Sequence, residues 1–379
     1  VNTGTEGSKT WIVVLAIAAI YAGSCALLLS RRHWDISRFV VAGGAEVDAS
    51  RVPPGLTVVE NAYDGAAFYR LAIDPLTIEK TAFGIPLDNP PYRQQRIVYP
   101  LLVHLLSFGH VEWIPALLVA VNFIAVLVMT FGAVHLARVF AIADWWGAMP
   151  ALYAGFLIAF SRDTAEIVAW AFGVWAIVSV SRSAFTSATI LLVCAALARE
   201  STLILAVGIL AETIADRVRS RPRRVPWSVA VAPICVYIAW QFVLAMRWHD
   251  SGIGSSMFQP EIPFAQYIHV FREALARRTV QLRLHFAECV FLAIVAGAVV
   301  AALRKSSAPL RWRLSWVGYA ALASVLGNTV WGEHFGFMRV LSDFYVMSTV
   351  VLYGASPRLR GLVATLSSVL FAYLLVHID

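Results

Sequence analysis

The chain has 379 residues, 59% of them hydrophobic and only 14% charged, with a mean hydropathy of +0.72. Soluble domains are roughly a quarter charged, so this composition excludes a water-soluble globule and, with its repeated apolar runs, indicates an all-α polytopic membrane protein. The net charge of +7 concentrates in "RVRSRPRR", "RKSSAPLRWR" and "PRLR", short loops between apolar runs. That is the signature of cytoplasmic loops under the positive-inside rule, and it argues against a nucleic-acid partner.

The first apolar run, "WIVVLAIAAIYAGSCALLLS", is followed by Arg31 and Arg32. It is too long for a signal-peptide core and reads as an uncleaved span over 11–30. Behind it lies "VVENAYDGAAFYRLAIDP", where Glu60, Tyr63 and Asp64 stand out against their oily surroundings. Asp64 precedes "GAAFYRLA", a predicted short helix, and can serve as its N-cap. It can equally act as a general base at the water–lipid boundary, taking a proton from a hydroxyl nucleophile. One carboxylate can do both.

Next comes "RQQR", with Arg93 and Arg96, directly before the apolar stretch 97–109. That stretch is short and contains Pro100 and His104, so it is predicted to lie on the membrane surface as an interfacial helix. Ten further spans are predicted at 113–136, 146–161, 164–181, 184–198, 201–216, 227–246, 286–303, 314–330, 339–355 and 361–377. Placing the basic loops 217–226, 304–313 and 356–360 in the cytoplasm and counting back gives eleven spans. The N-terminus is then inside, the C-terminus outside, and 31–112 is one long outer loop carrying interfacial helices. A second outer loop, 247–285, turns amphipathic through Phe264, Ile268, Phe271 and Leu275.

On this topology the polar clusters share the outer face: "ENAYDG", "RQQR", "SRDTAE", "ARES" and "GEHFGFMR". Charged side chains beside membrane segments are functional candidates by default. Asp163 and Glu166 fall in the predicted first turn of a span, where acids suit the positive helix end, with Ser161 as a possible cap. Arg199 and Glu200, adjacent between two spans, form either a self-neutralised turn or part of a site. Arg93, Arg96 and Arg339 can grip a phosphate through bidentate hydrogen bonds or bind ordinary phospholipid headgroups. Glu333 and His334 lie close to Arg339. With no H-E-x-x-H, D-x-D or Cys/His spacing, no metal and no cofactor are expected. Cys25, Cys194, Cys235 and Cys289 read as small embedded hydrophobes.

A first span, a long outer loop with an early acidic residue, surface helices and many further spans together resemble the GT-C superfamily of integral-membrane glycosyltransferases. "YDGAAFYRLAIDP", "YRQQRIVYPLL", "SRDTAE" and "LARES" are similar to a bacterial group of that superfamily linked to cell-surface glycopolymers. The likeness covers about residues 10–215 of this chain. It implies one membrane domain over 1–379, with a GT-C-like module at 11–216 and a variable helical part at 227–377. It also implies a polyprenyl-phosphate-linked sugar as donor, a hydroxyl on a glycan or lipid-linked acceptor, inversion at the sugar, and a site on the outer face of the inner membrane. By resemblance Asp64 is the acceptor-activating base, and Asp163 positions the acceptor or supports Asp64, with Glu166 as its alternate. Glu60, Tyr63, Arg93, Arg96, Arg199, Glu200, Glu333, His334 and Arg339 are expected to bind substrate. Glu60 and Asp64 are four apart, unlike the paired acids of some GT-C enzymes, which leaves the role of Glu60 open. A transporter or flippase of a lipid-linked glycan is the alternative from another class, and a non-catalytic scaffold a third.

Overall fold

The computed structural model describes residues 3–222, 225–250, 260–276, 280–332 and 336–378, and these are mostly helical, with almost no sheet. After α1 (Thr3–Arg31), the long segment expected as an outer loop carries α2 (Asp64–Ile73), a small hairpin of β1 (Thr81–Ala82) and β2 (Ile85–Pro86), α3 (Pro90–Gln94) and α4 (Val98–Ser107). The hairpin pairs Thr81 with Pro86 and Ala82 with Ile85. Then follow α5 (Ile114–Val139), α6 (Ala154–Ser161), α7 (Glu166–Ser181), α8 (Phe185–Ala198), α9 (Leu203–Val218) and α10 (Ser228–Trp248). The C-terminal part holds α11 (Ala265–Ala276), α12 (Val280–Ala302), α13 (Leu310–Val325), α14 (Asn328–Trp331), α15 (Gly336–Val340), α16 (Ser342–Tyr353) and α17 (Pro357–His377).

Five helices, α1, α5, α10, α12 and α17, are long and apolar enough to cross a membrane. The other expected spans are helical but short or broken. The run at 146–161 holds a 3-10 turn, Asp144–Ala148, and the eight-residue α6. The run at 314–330 breaks after Val325, and that at 339–355 divides between α15 and α16. An eight-residue helix rises about 12 Å, against a hydrocarbon core of about 30 Å. Every residue of α6 and of α16 is buried in protein, so the apolarity of these runs comes from helix packing. Hydropathy along a sequence does not separate a side chain facing lipid from one facing another helix. The outer helices do present apolar faces: Trp11, Ile12 and Leu15 on α1, Ile238 and Phe242 on α10, Val369 and Val376 on α17.

The run at 97–109 forms α4, whose ten residues rise only about 15 Å. It buries Tyr99 and Val103 and exposes Leu101, Leu105 and Leu106, the two-sided character expected of a surface helix. In α11, Val270 and Ala274 are buried while Ile268 and Leu275 are exposed.

Two local features seat α2. Residues 57–63 are strapped along 40–44, with Val59 N–H donating to Ala42 O at 2.8 Å and Tyr63 N–H to Val41 O at 3.1 Å. Beneath, α6 ends in a left-handed turn: Thr164 N–H donates back to Ala159 O at 3.1 Å and Asp163 has a φ of +48°. That position usually takes Gly, with Asn and Asp as tolerated substitutes. The start of α2 rests on this turn so closely that a Cβ on Gly65 would lie 2.5 Å from both Arg162 O and Val40 O. Glycine is what allows the approach, and it sets Asp64 beside the α6–α7 turn.

Candidate functional site

Asp64 is the first residue of α2, not its cap; Tyr63 occupies the N-cap position and makes no side-chain cap bond. The Asp64 carboxylate instead meets two guanidinium groups. Arg93 Nη1 lies 2.5 Å from one oxygen and Arg339 Nη2 lies 2.7 Å from the other. Asp88 fixes Arg93 from behind, accepting from Nε at 2.8 Å and from Nη2 at 2.9 Å, which leaves Nη1 aimed at Asp64. α3 presents Arg93 because Asn89 caps the helix through Tyr92 N–H and Pro90 starts it.

Arg339 turns its other nitrogen, Nη1, to Glu166 at 2.9 Å. Glu166 also accepts from Arg199, and Arg199 Nε lies 3.2 Å from Asp343. Trp170 Nε1 and Ser201 Oγ donate to the two Asp343 oxygens. A continuous chain of alternating charge therefore runs Asp88, Arg93, Asp64, Arg339, Glu166, Arg199, Asp343. Beside it Arg96 forms a bidentate pair with Glu200, at 2.6 and 2.9 Å, and also donates to Tyr92 Oη. Two guanidinium groups lie over the Tyr63 ring, that of Arg162 at 4.8 Å and that of Arg339 at 5.1 Å from its centroid.

The two glutamines of "RQQR" fasten the site to the bundle. Gln95 accepts from Tyr237 and Gln241 of α10, and Gln94 accepts from Trp248 while donating to Pro75 O. Loop 31–112, the α6–α7 and α8–α9 turns, the end of α10 and the α15–α16 region thus meet at one end of the bundle.

Several expected site residues come together here: Tyr63, Asp64, Arg93, Arg96, Glu166, Arg199, Glu200 and Arg339. Arg199 and Glu200 do not neutralise each other as a turn would; each pairs across the fold with a different partner. Asp163 and Glu166 differ in what they touch. Glu166 reaches Asp64 through Arg339, whereas among the described residues neither oxygen of the fully buried Asp163 has a hydrogen-bond partner. Ser161 caps nothing in α7; its hydroxyl donates to Ile158 O within α6. Glu60 is exposed, and among the described residues its side chain joins no ion pair. Glu333 and His334 lie outside the described residues. Asp88, Tyr92, Trp170, Ser201 and Asp343 belong to the cluster and were not singled out in the sequence. Among the described residues no three His, Cys, Asp or Glu side chains converge as metal ligands.

The surroundings of the acids separate their proton affinities. Burial pushes the Asp64 carboxyl up, but Arg93, Arg339 and Arg96 outweigh it and hold the group well below the usual carboxylate range. Burial likewise opposes Arg96 at Glu200, and the arginine prevails, bringing Glu200 down to about 2. At Asp163 burial wins, with Arg32 opposing it only weakly, and the carboxyl is raised well above its ordinary value.

That last shift has a stability consequence. A raised folded-state value means that the folded chain binds this proton more tightly than the unfolded chain does. Its penalty is absent below the unfolded value of about 3.9, grows as pH rises from there toward the folded one, and is complete above it. Asn fits the left-handed turn without the charge. Asp163→Asn is therefore expected to raise the unfolding temperature by about 2 °C or more at pH 7, with a smaller gain at pH 4. Thermal unfolding in detergent at both pH values checks this; a difference independent of pH would contradict it.

Compared with known proteins, the chain matches no family model, no curated protein and no solved structure.

Proposed function

We propose that this chain is a GT-C-type glycosyltransferase. It moves a sugar from a polyprenyl-phosphate donor to a hydroxyl of a glycan or lipid-linked acceptor, at the outer face of the membrane. The observation that carries the reading is the half-buried Asp64 carboxylate set between the guanidinium groups of Arg93 and Arg339. A base and an anion grip at one point is what this reaction needs.

In the transfer, the acceptor O–H gives its proton to Asp64 as its oxygen bonds to the anomeric carbon. The bond from that carbon to the phosphate oxygen breaks, and the electron pair leaves with the polyprenyl phosphate. Arg93 and Arg339 meet the charge that grows on the departing phosphate through charge-assisted hydrogen bonds. One displacement with one base inverts the anomeric centre. Glu166, Arg199 and Asp343 make no contact with the reacting atoms in this scheme; they hold Arg339 in place. The Arg96–Glu200 pair and the Gln95 contacts keep α3 against the bundle.

The test is acceptor-dependent release of polyprenyl phosphate by the purified chain from a polyprenyl-phosphate sugar. Release together with a new glycosidic bond supports the reading, and no release with any hydroxyl acceptor overturns it. One observation favours the transporter reading. The interrupted pairs α6–α7 and α15–α16 bring buried charges together, as broken helices do in transporters. Movement of an intact lipid-linked glycan across a vesicle membrane, with no bond cleaved, would establish it instead.

A further inference from the structure

The donor's phosphate has no vacant cation waiting for it in the ion-pair cluster. Five carboxylates, Asp88, Asp64, Glu166, Asp343 and Glu200, interleave with four guanidinium groups, Arg93, Arg339, Arg199 and Arg96, and each arginine is paired. An anion that takes Nη1 of Arg93 or Nη2 of Arg339 must exchange with a carboxylate. The geometry distinguishes which one yields. Glu166 and Asp343 are 2% and 4% exposed and out of reach. Asp88 and Glu200 are more exposed, but each holds its arginine with two hydrogen bonds. Asp64 is 17% exposed and takes one nitrogen from each of two arginines on separate elements.

Resting on the glycosyltransferase reading, we propose that the donor phosphate displaces Asp64 from Arg93 and Arg339, so that the base is masked until the donor is seated. Each arginine keeps its second partner during the exchange: Arg93 stays on Asp88 and Arg339 on Glu166. Neither guanidinium is stranded, and both remain aimed at the vacated point. Released from two cations, Asp64 regains the proton affinity that the resting pairing removes. Binding is then ordered, donor before acceptor activation, because an acceptor arriving first meets a carboxylate already engaged.

The consequence is counterintuitive: removing the catalytic carboxylate strengthens donor-product binding. Asp64→Asn and Asp64→Ala are expected to bind a polyprenyl phosphate in detergent micelles roughly tenfold tighter than the wild type, because a charge-assisted competitor has gone. The uncharged polyprenol serves as the control for chain binding and should show no such gain. Asp48→Asn removes the same charge from an exposed point of the same loop, outside the ion-pair chain, and is expected to leave phosphate affinity unchanged. Equal affinity in wild type and both Asp64 variants would overturn the masking while leaving the transferase reading intact. An equal gain in Asp48→Asn would reduce the effect to loop charge and overturn it as well. Failure of all forms to bind polyprenyl phosphate more tightly than polyprenol would overturn both.

Discussion

Asp64→Asn is expected to lower the rate of sugar transfer by about 10²–10⁴-fold, the usual contribution of a positioned general base. The protein should remain folded and inserted. Arg93 keeps its two bonds to Asp88, and Arg339 keeps Glu166, so the substitution strands no buried cation. The amide is nearly isosteric and can still accept from either arginine. Loss of rate therefore reports loss of the proton acceptor rather than collapse of the loop. A steady-state assay separates the roles: a base acts on kcat, whereas a residue that merely orients the donor would raise KM. Wild-type kcat in this variant would remove the assignment.

The second large effect belongs to Arg339, the hinge of the charge chain. It is 5% exposed and bridges Asp64 to Glu166. Arg339→Ala takes one of its two arginine partners from the buried Glu166 and frees Asp64 on one side. Removing one partner of a buried pair costs about 3–5 kcal/mol, so the unfolding temperature in detergent should fall steeply. Arg339→Lys is the informative companion. An ammonium keeps the charge but cannot hold two carboxylates with the fixed fork of a guanidinium. It is expected to fold, with transfer slower by about 10²-fold, as when one transition-state donor is lost. A Lys variant with wild-type turnover would show that Arg339 is structural only.

Much of the helix placement was legible in the apolar runs, and the shortness of α4, at ten residues, was legible in its run. Other lengths were not legible. α6 and α16 are apolar because they are enclosed by other helices, and that leaves the same trace in a sequence as contact with lipid. "RQQR", "SRDTAE", "ARES" and Arg339 were expected on one face from loop charge and a count of eleven spans; they do gather, although among the described residues only five helices have the length and apolarity to cross. Partners that depend on tertiary contact did not. Asp343 sits in a run that reads as a span, and its neighbours Trp170, Ser201 and Arg199 lie more than 140 residues away. Asp88 looks like an ordinary turn residue before Asn89 and Pro90; the one local signal was its spacing of five from Arg93. Asp163 was given the supporting role by resemblance alone, with Glu166 as its alternate. The left-handed turn turns it inward and gives the contact with Arg339 to Glu166.

The most direct test is a density map of the protein with a polyprenyl phosphate bound. Phosphate oxygens are expected within hydrogen-bond distance of Arg93 and Arg339, with the Asp64 carboxylate moved off both and turned toward solvent. Lipid phosphate seated at the basic opposite end of the bundle, with the Asp64 contacts intact, would contradict it.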